Sequence, residues 1–201
     1  MGNPRRIDIK SGQPQSLTVA QSEIKSVLST SQASNTAREK ILNFIQGHPD
    51  ALHRSCIAGH LTGSAAILDH TGDRLLVMLH KKLQIWLQPG GHADGDGLLS
   101  RVALREAIEE TGIEGLELFG PGIDCDVHVI PSRGADPEHL HLDTRYLIRA
   151  PEGSKFRKNH ESIELRWVTQ KELLSLTEEE STLRLARVAT QIAKKCFTPS
   201  F

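Results

Sequence analysis

Residues 88–113 read QPGGHADGDGLLSRVALREAIEETGI, and their reading decides the fold. From about Leu98 to Thr111 the spacing predicts a helix, with Asp94 or Asp96 able to cap its start and Gly112 placed as the C-terminal glycine. At 100° per residue Leu104, Ala107, Ile108 and Thr111 share one face, and Glu106, Glu109 and Glu110 share the opposite one. Acids belong at a helix N-terminus, where the backbone dipole is positive, and these three sit in the last turns. They also repel one another, at roughly 0.2–0.5 kcal/mol per pair. A Glu-rich face of this kind is most often plain solvated surface. The segment before it argues otherwise: PGGHADGDG carries four glycines, which let backbone approach a bound ion or phosphate. A strand, a glycine-rich loop and an acid-faced helix in succession point to a phosphate and metal site. Oxygen donors suit the hard cations Mg²⁺ and Mn²⁺.

Working outward, KLQIWLQ runs into this loop as a short strand, and CIAGHLTGSAAILDHTGDRLLVMLH before it reads as a hairpin turning at DHTGD. After the helix, DCDVHVIP and LHLDTRYLIRA read as strands separated by the polar loop SRGADPE. ESIELRWVT is a last strand, QKELLSL begins a helix, and residues 178–196 form an amphipathic helix. Residues 16–50 read as helices, with Ile41, Phe44 and Ile45 as an apolar stripe stopped by Gly47 and Pro49, and residues 1–15 read as a loose arm. Strands and helices mix without regular βαβ alternation, so the expected class is α/β or α+β with a mixed sheet.

Composition narrows the function classes. The chain of 201 residues has a net charge of -1, which offers no field for nucleic acid or an anionic membrane. Mean hydropathy is -0.32 and no apolar run is long enough to span a bilayer. The start MGNPRRIDIKSGQPQ lacks the apolar stretch of a signal peptide, and Arg6 breaks a myristoylation pattern. Cys56, Cys125 and Cys196 are odd in number and widely spaced, with neither metal-ligand spacing nor a disulfide framework. A cytoplasmic protein is the expectation.

The segment resembles the Nudix box, G-x5-E-x7-R-E-U-x-E-E-x-G-U with U apolar. Gly91 matches the first glycine, and Arg105, Glu106, Glu109, Glu110, Gly112 and Ile113 match the second half. Ala107 stands at the first U, and Gly97 stands where the first glutamate is expected. GHLTGSAAILD followed by WLQPGGHADGD resembles a bacterial Nudix subgroup with an N-terminal helical extension. The resemblance implies a Nudix-type α/β/α sandwich with a mixed sheet: residues 1–52 as arm and helical extension, 53–176 as the catalytic domain and 177–201 as a C-terminal helix packed on it. It implies hydrolysis of a diphosphate linkage in a nucleoside diphosphate derivative with Mg²⁺ or Mn²⁺. Glu106, Glu110 and the Gly90 carbonyl are the implied metal ligands, Glu109 a third ligand or water-positioning group, and Arg105 the residue holding a glutamate in its rotamer. Glu161 is a candidate base or extra ligand, with Glu164 behind it.

Other residues keep two readings. On LHLDTRYL, alternation places His139, His141, Asp143 and Arg145 on one strand face, as a polar wall of a substrate pocket or as a solvated face. His92 would meet a phosphate at the site mouth, and Lys81 and Lys82 would do so or belong to a surface hairpin. Trp86 would stack on a base or lie in the core. A zinc site is disfavoured for want of further ligands at suitable spacing. The extension would cover a sheet edge, join a homodimer or act as a lid. Nucleotide sugars, dinucleoside polyphosphates and nucleoside triphosphates are all admissible substrates. Relatives acting on ADP-ribose often carry a proline near position 128, where this chain has His128. Two rivals are a non-catalytic nucleotide sensor, suggested by Gly97, and an isopentenyl diphosphate isomerase, whose required cysteine finds no matching context.

Overall fold

A computed structural model describes residues 4–9, 12–28, 31–134 and 137–197. Parts of the N-terminal arm, the loop SRGADPE and the C-terminal end therefore lie outside the described residues. The strands are β1 (Arg5–Arg6), β2 (Gly59–Leu68), β3 (Leu75–His80), β4 (Trp86–Leu87), β5 (Gly90–His92), β6 (Glu117–Ile130), β7 (His139–Arg149) and β8 (Ser162–Val168). The helices are α1 (Leu17–Ser26), α2 (Gln32–Gly47), α3 (Leu99–Thr111), α4 (Gln170–Leu173) and α5 (Glu180–Cys196). One mixed sheet runs β1-β6-β7-β2-β3-β4, with β5 added to β2 and β8 to β3. β2 and β7 pair in parallel from Gly59–Leu140 to Leu68–Arg149. The hairpin at DHTGD forms as expected, with Leu68 opposite Leu75.

Period-two alternation builds a core on each side of the sheet. Leu61, Ala65 and Ile67 of β2 face one way and pack with Ala20, Ile24, Ile41, Leu99 and Ala103 from α1, α2 and α3. Ala66 and Leu68 face the other way and pack with Leu185, Ala189 and Ile192 of α5. The result is the α/β/α sandwich. Ile24 and Ile41 are fully buried. At roughly 1.5–3 kcal/mol for each such side chain, the N-terminal helices are integral to the core.

The arm is more ordered than its composition suggests. Arg5 and Arg6 extend the sheet beside Gly120 and Phe119, and Gln15 and Ser16 lie against the start of α3. Ile108, expected on the packed face of α3, is 43% exposed. That face is formed instead by Leu99, Val102, Ala103, Ala107 and Thr111, with Glu110 among them.

Candidate active site

The sheet forks along β2. Thr62, Ser64 and the glycine between them pair with Gly90–His92 of β5, whereas Leu68 pairs with β3. A cleft of about 290 Å³ opens at this fork, lined by residues that include Thr62, Ser64, Leu83, Gly90, Gly91, His92, Glu106, Glu110, His128, His141, Asp143 and Glu161.

Helix α3 supplies the acids. Its start is set by Asp96, whose Oδ1 accepts the N–H of Leu98 and of Gln15 while its carboxylate pairs with Arg101. Asp96 therefore braces the helix start from two residues ahead of Leu98, while Asp94 pairs with Arg54 at 2.7 Å. The first-turn donors find a partner from another element: Glu23 of α1 accepts the Ser100 N–H at 3.0 Å and its hydroxyl at 2.6 Å. The C-terminus is closed by Gly112 at φ 63°, as the sequence suggests.

Glu106 and Glu110 project from successive turns into the cleft. Glu110 is 3% exposed, and its Oε2 accepts the Gly90 N–H at 2.9 Å. Burial pushes its carboxyl up to about 8, and repulsion from Glu106 and Glu161 adds to this against the Gly90 hydrogen bond. Burial also raises Glu106, partly offset by Arg105. The Arg105 guanidinium bonds Glu106 at 2.8 Å and the His92 carbonyl at 2.9 Å, so it fixes the glutamate to the loop. A Cβ at Gly91 would stand 2.4 Å from the Glu106 carboxyl carbon, so a larger residue there would push that carboxylate aside. Glu109 is exposed and does not line the cleft.

Glu161 lines the cleft from the loop before β8. Glu164 pairs with Arg166 on the outer surface. His92 and His141 face each other, with Nε2 atoms 3.2 Å apart. Burial first, then neighbouring positive charge, lowers His92 to about 4; burial and the adjacent histidines lower His141 to about 2. Both rings are therefore neutral near pH 7. His139 packs on His141 at 5.3 Å between ring centroids without lining the cleft. Lys82 lines the cleft and Lys81 does not. Trp86 is 9% exposed in the α5-side core, with the Arg166 guanidinium 5.2 Å from its ring.

Arg145 corrects the expectation of a substrate contact. It shares the strand face of His141 and Asp143, but α5 covers that end of the face. There it is 2% exposed, bonded to Asp143 at 2.8 Å and to Asp124 at 3.2 Å, with Ser181 of α5 accepting as well. Arg184 completes this buried ionic cluster through Asp124 and Asp126. No described residue before Arg54 lines the cleft, and Ala20, Ile24 and Ile41 of the extension pack into the core on one face of the sheet.

Gly97, the departure from the Nudix pattern, has a steric cause. A Cβ there would lie 1.9 Å from the Ser16 carbonyl oxygen, and the Gly97 N–H donates to the Gln15 carbonyl at 2.7 Å. The arm occupies the space that an acid at position 97 would need.

Sequence reasoning missed His60. Its register opposite His141 brings it to the same cluster, 4.9 Å from the His92 ring and 5.1 Å from the His141 ring. Only the parallel β2–β7 pairing, which one sequence does not reveal, joins GHLT to HLHLD.

A sequence model of the NUDIX domain matches residues 60–187, more than half of the chain. No curated protein matches the sequence. Among solved structures, a NUDIX-family hydrolase from Clostridium perfringens is 25% identical with a TM-score of 0.52, over 66% of this chain and 97% of that one. A Caenorhabditis elegans Ap4A hydrolase is 16% identical with a TM-score of 0.56, over 67% and 98%. The Escherichia coli dihydroneopterin triphosphate pyrophosphohydrolase is 18% identical with a TM-score of 0.54, over 63% and 92%. With the matched domain, the sandwich and the REAIEETG helix facing a cleft, this chain belongs to the NUDIX family, as a hydrolase acting on phosphoanhydride bonds.

Proposed function

We propose that the cleft hydrolyses the diphosphate linkage of a nucleoside diphosphate derivative: a nucleotide sugar, a dinucleoside polyphosphate or a nucleoside triphosphate. The observation that carries this reading is the pair Glu106, half-buried, and Glu110, buried, lining one cleft together with Glu161. Loss of solvation raises both carboxyls, and repulsion from neighbouring acids adds to it. The oxygen-only donor set fits Mg²⁺ or Mn²⁺, with Glu106, Glu110 and the Gly90 carbonyl as ligands. When bound, such a dication neutralises phosphate charge and acidifies a coordinated water.

The chain's own residues do the rest. Arg105 keeps Glu106 in the rotamer that faces the cleft. Glu161 accepts a proton from the attacking water. Lys82 and Arg54 at the cleft wall draw in the polyphosphate, and His92 and His141 donate to its oxygens. Leu83, Leu87 and Ile130 provide apolar surface for a base or other group. Two proteins of similar fold are named as acting on Ap4A and on dihydroneopterin triphosphate, which favours a polyphosphate-bearing small molecule.

A panel of nucleotide sugars, dinucleoside polyphosphates and nucleoside triphosphates, each with Mg²⁺ and with Mn²⁺, tests this. Turnover of at least one substrate is expected, with Glu110→Gln lowering kcat by at least about 100-fold while the fold is kept. Wild-type rates in that variant would overturn the reading. Ligand-induced stabilisation without turnover would replace it with a sensor.

A further inference from the structure

The histidine cluster is chemically distinct from the carboxylate site, and hydrolysis as described gives His60 no role. We propose that His60, His92 and His141 form a binding site for a borderline transition-metal dication of the Zn²⁺ class. Three strands assemble it. β2 and β7 pair His60 with His141, and β5 sets His92 opposite Thr62, two residues along the same face of β2. One ring nitrogen from each histidine lies within 4.8 Å of the other two. The Nε2 atoms of His92 and His141 are 3.2 Å apart. Two nitrogens each held 2.0–2.1 Å from a tetrahedral ion stand roughly 3.3 Å apart, so this pair already has the separation of co-ligands.

His60 is the independent observation. It is 4% exposed, and neither ring nitrogen has a hydrogen-bond partner. The Cys56 carbonyl leans toward the ring and favours its protonated form, but too loosely for a formed bond. Buried imidazoles ordinarily satisfy their nitrogens, so an unpartnered one aimed at two others needs an occupant. A proton is a poor one here. Asp143 is fully engaged by Thr62, Ser64 and Arg145, and Asp94 by Arg54. No described carboxylate hydrogen-bonds any of the three rings. Imidazole donors select Zn²⁺, Ni²⁺, Cu²⁺ or Fe²⁺ over Mg²⁺, which prefers oxygen. His92 and His141 also line the cleft, so a three-histidine ion there has its remaining position open to water or to an anionic substrate oxygen.

The test uses the full chain, stripped with a chelator and titrated with Co²⁺ in excess Mg²⁺, which saturates oxygen sites. One equivalent of Co²⁺ is expected to give the visible absorption of a nitrogen-rich, four-coordinate ion and to be displaced by Zn²⁺. His60→Gln and His92→Gln should each weaken binding by at least about 10-fold, whereas Glu110→Gln should leave it unchanged. Circular dichroism shows whether each variant folds, and His92, at the cleft wall, serves if the His60 variant does not. Absence of this absorption in the wild type overturns the proposal, as does its survival in folded His92→Gln. A loss confined to Glu110→Gln would assign the ion to the carboxylates. Because Co²⁺ binding is read without substrate, its failure is separate from any failure of hydrolysis.

Discussion

At the scale of single residues, position 97 shows how a departure from a family pattern follows from local packing. Gly97 is in contact with backbone, not with a side chain that could swing aside. Restoring the pattern with Gly97→Glu should therefore lift the arm off α3 and cost about 1–3 kcal/mol or more, read as a lower Tm, without raising turnover. An unchanged Tm would show that the arm yields freely. Glu106 and Glu110 line the cleft from successive turns as their spacing suggests, but spacing did not separate them from Glu109, which is exposed. Arg145 was not legible: alternation along β7 gives its face correctly but not which part of that face α5 covers. Ile108 shows the same limit, since a helix that also lines a cleft cannot bury its whole apolar stripe. His60 was invisible for a different reason, because its partners His92 and His141 lie 32 and 81 residues away along the chain.

At the scale of elements, α3 holds the functional carboxylates and is itself started from outside. Glu23 of α1 gives its carboxylate to the backbone and hydroxyl of Ser100 and also accepts from Tyr146 at 3.1 Å. An acid at a helix N-terminus is favoured by the dipole as well as by these bonds. Glu23→Ala should lower stability by about 0.5–2 kcal/mol, and Glu23→Gln by less, measured by denaturant midpoint. Equal loss in both would show that charge rather than hydrogen bonding matters. Element types were readable where periodicity runs long, as in α2, α5, β2 and β7. The two-residue β1 and three-residue β5 were not, because so short a run has no period, and each exists only through its partner strand.

At the scale of the whole molecule, stability and pH are linked through the cleft. In the metal-free protein Glu110 keeps its proton up to about pH 8, while an unfolded glutamate releases it near its ordinary value. Between these the folded state binds more protons, so stability falls as pH rises. His92 and His141, lowered to about 4 and about 2, act in the opposite sense below their ordinary value of about 6.5. Above about pH 6.5 their contribution is complete and that of Glu110 remains, with the raised Glu106 acting in the same sense. Thermal melts after chelation should show Tm falling from about pH 6.5 to 8, a flatter profile in Glu110→Gln, and recovery on adding Mg²⁺ or Mn²⁺. Parallel profiles for wild type and variant would refute it. Among the described residues no helix is long and apolar enough to cross a membrane.

The span matched by the NUDIX model, residues 60–187, does not contain the whole of the core. Cut back to that span, the sheet would lose Ala20, Ile24, Ile41 and Ile45 from one face, and α3 would lose the carboxylate that starts it. What looks like an appendage along the sequence is thus part of the foundation, and the catalytic helix stands on ground laid by the first fifty residues.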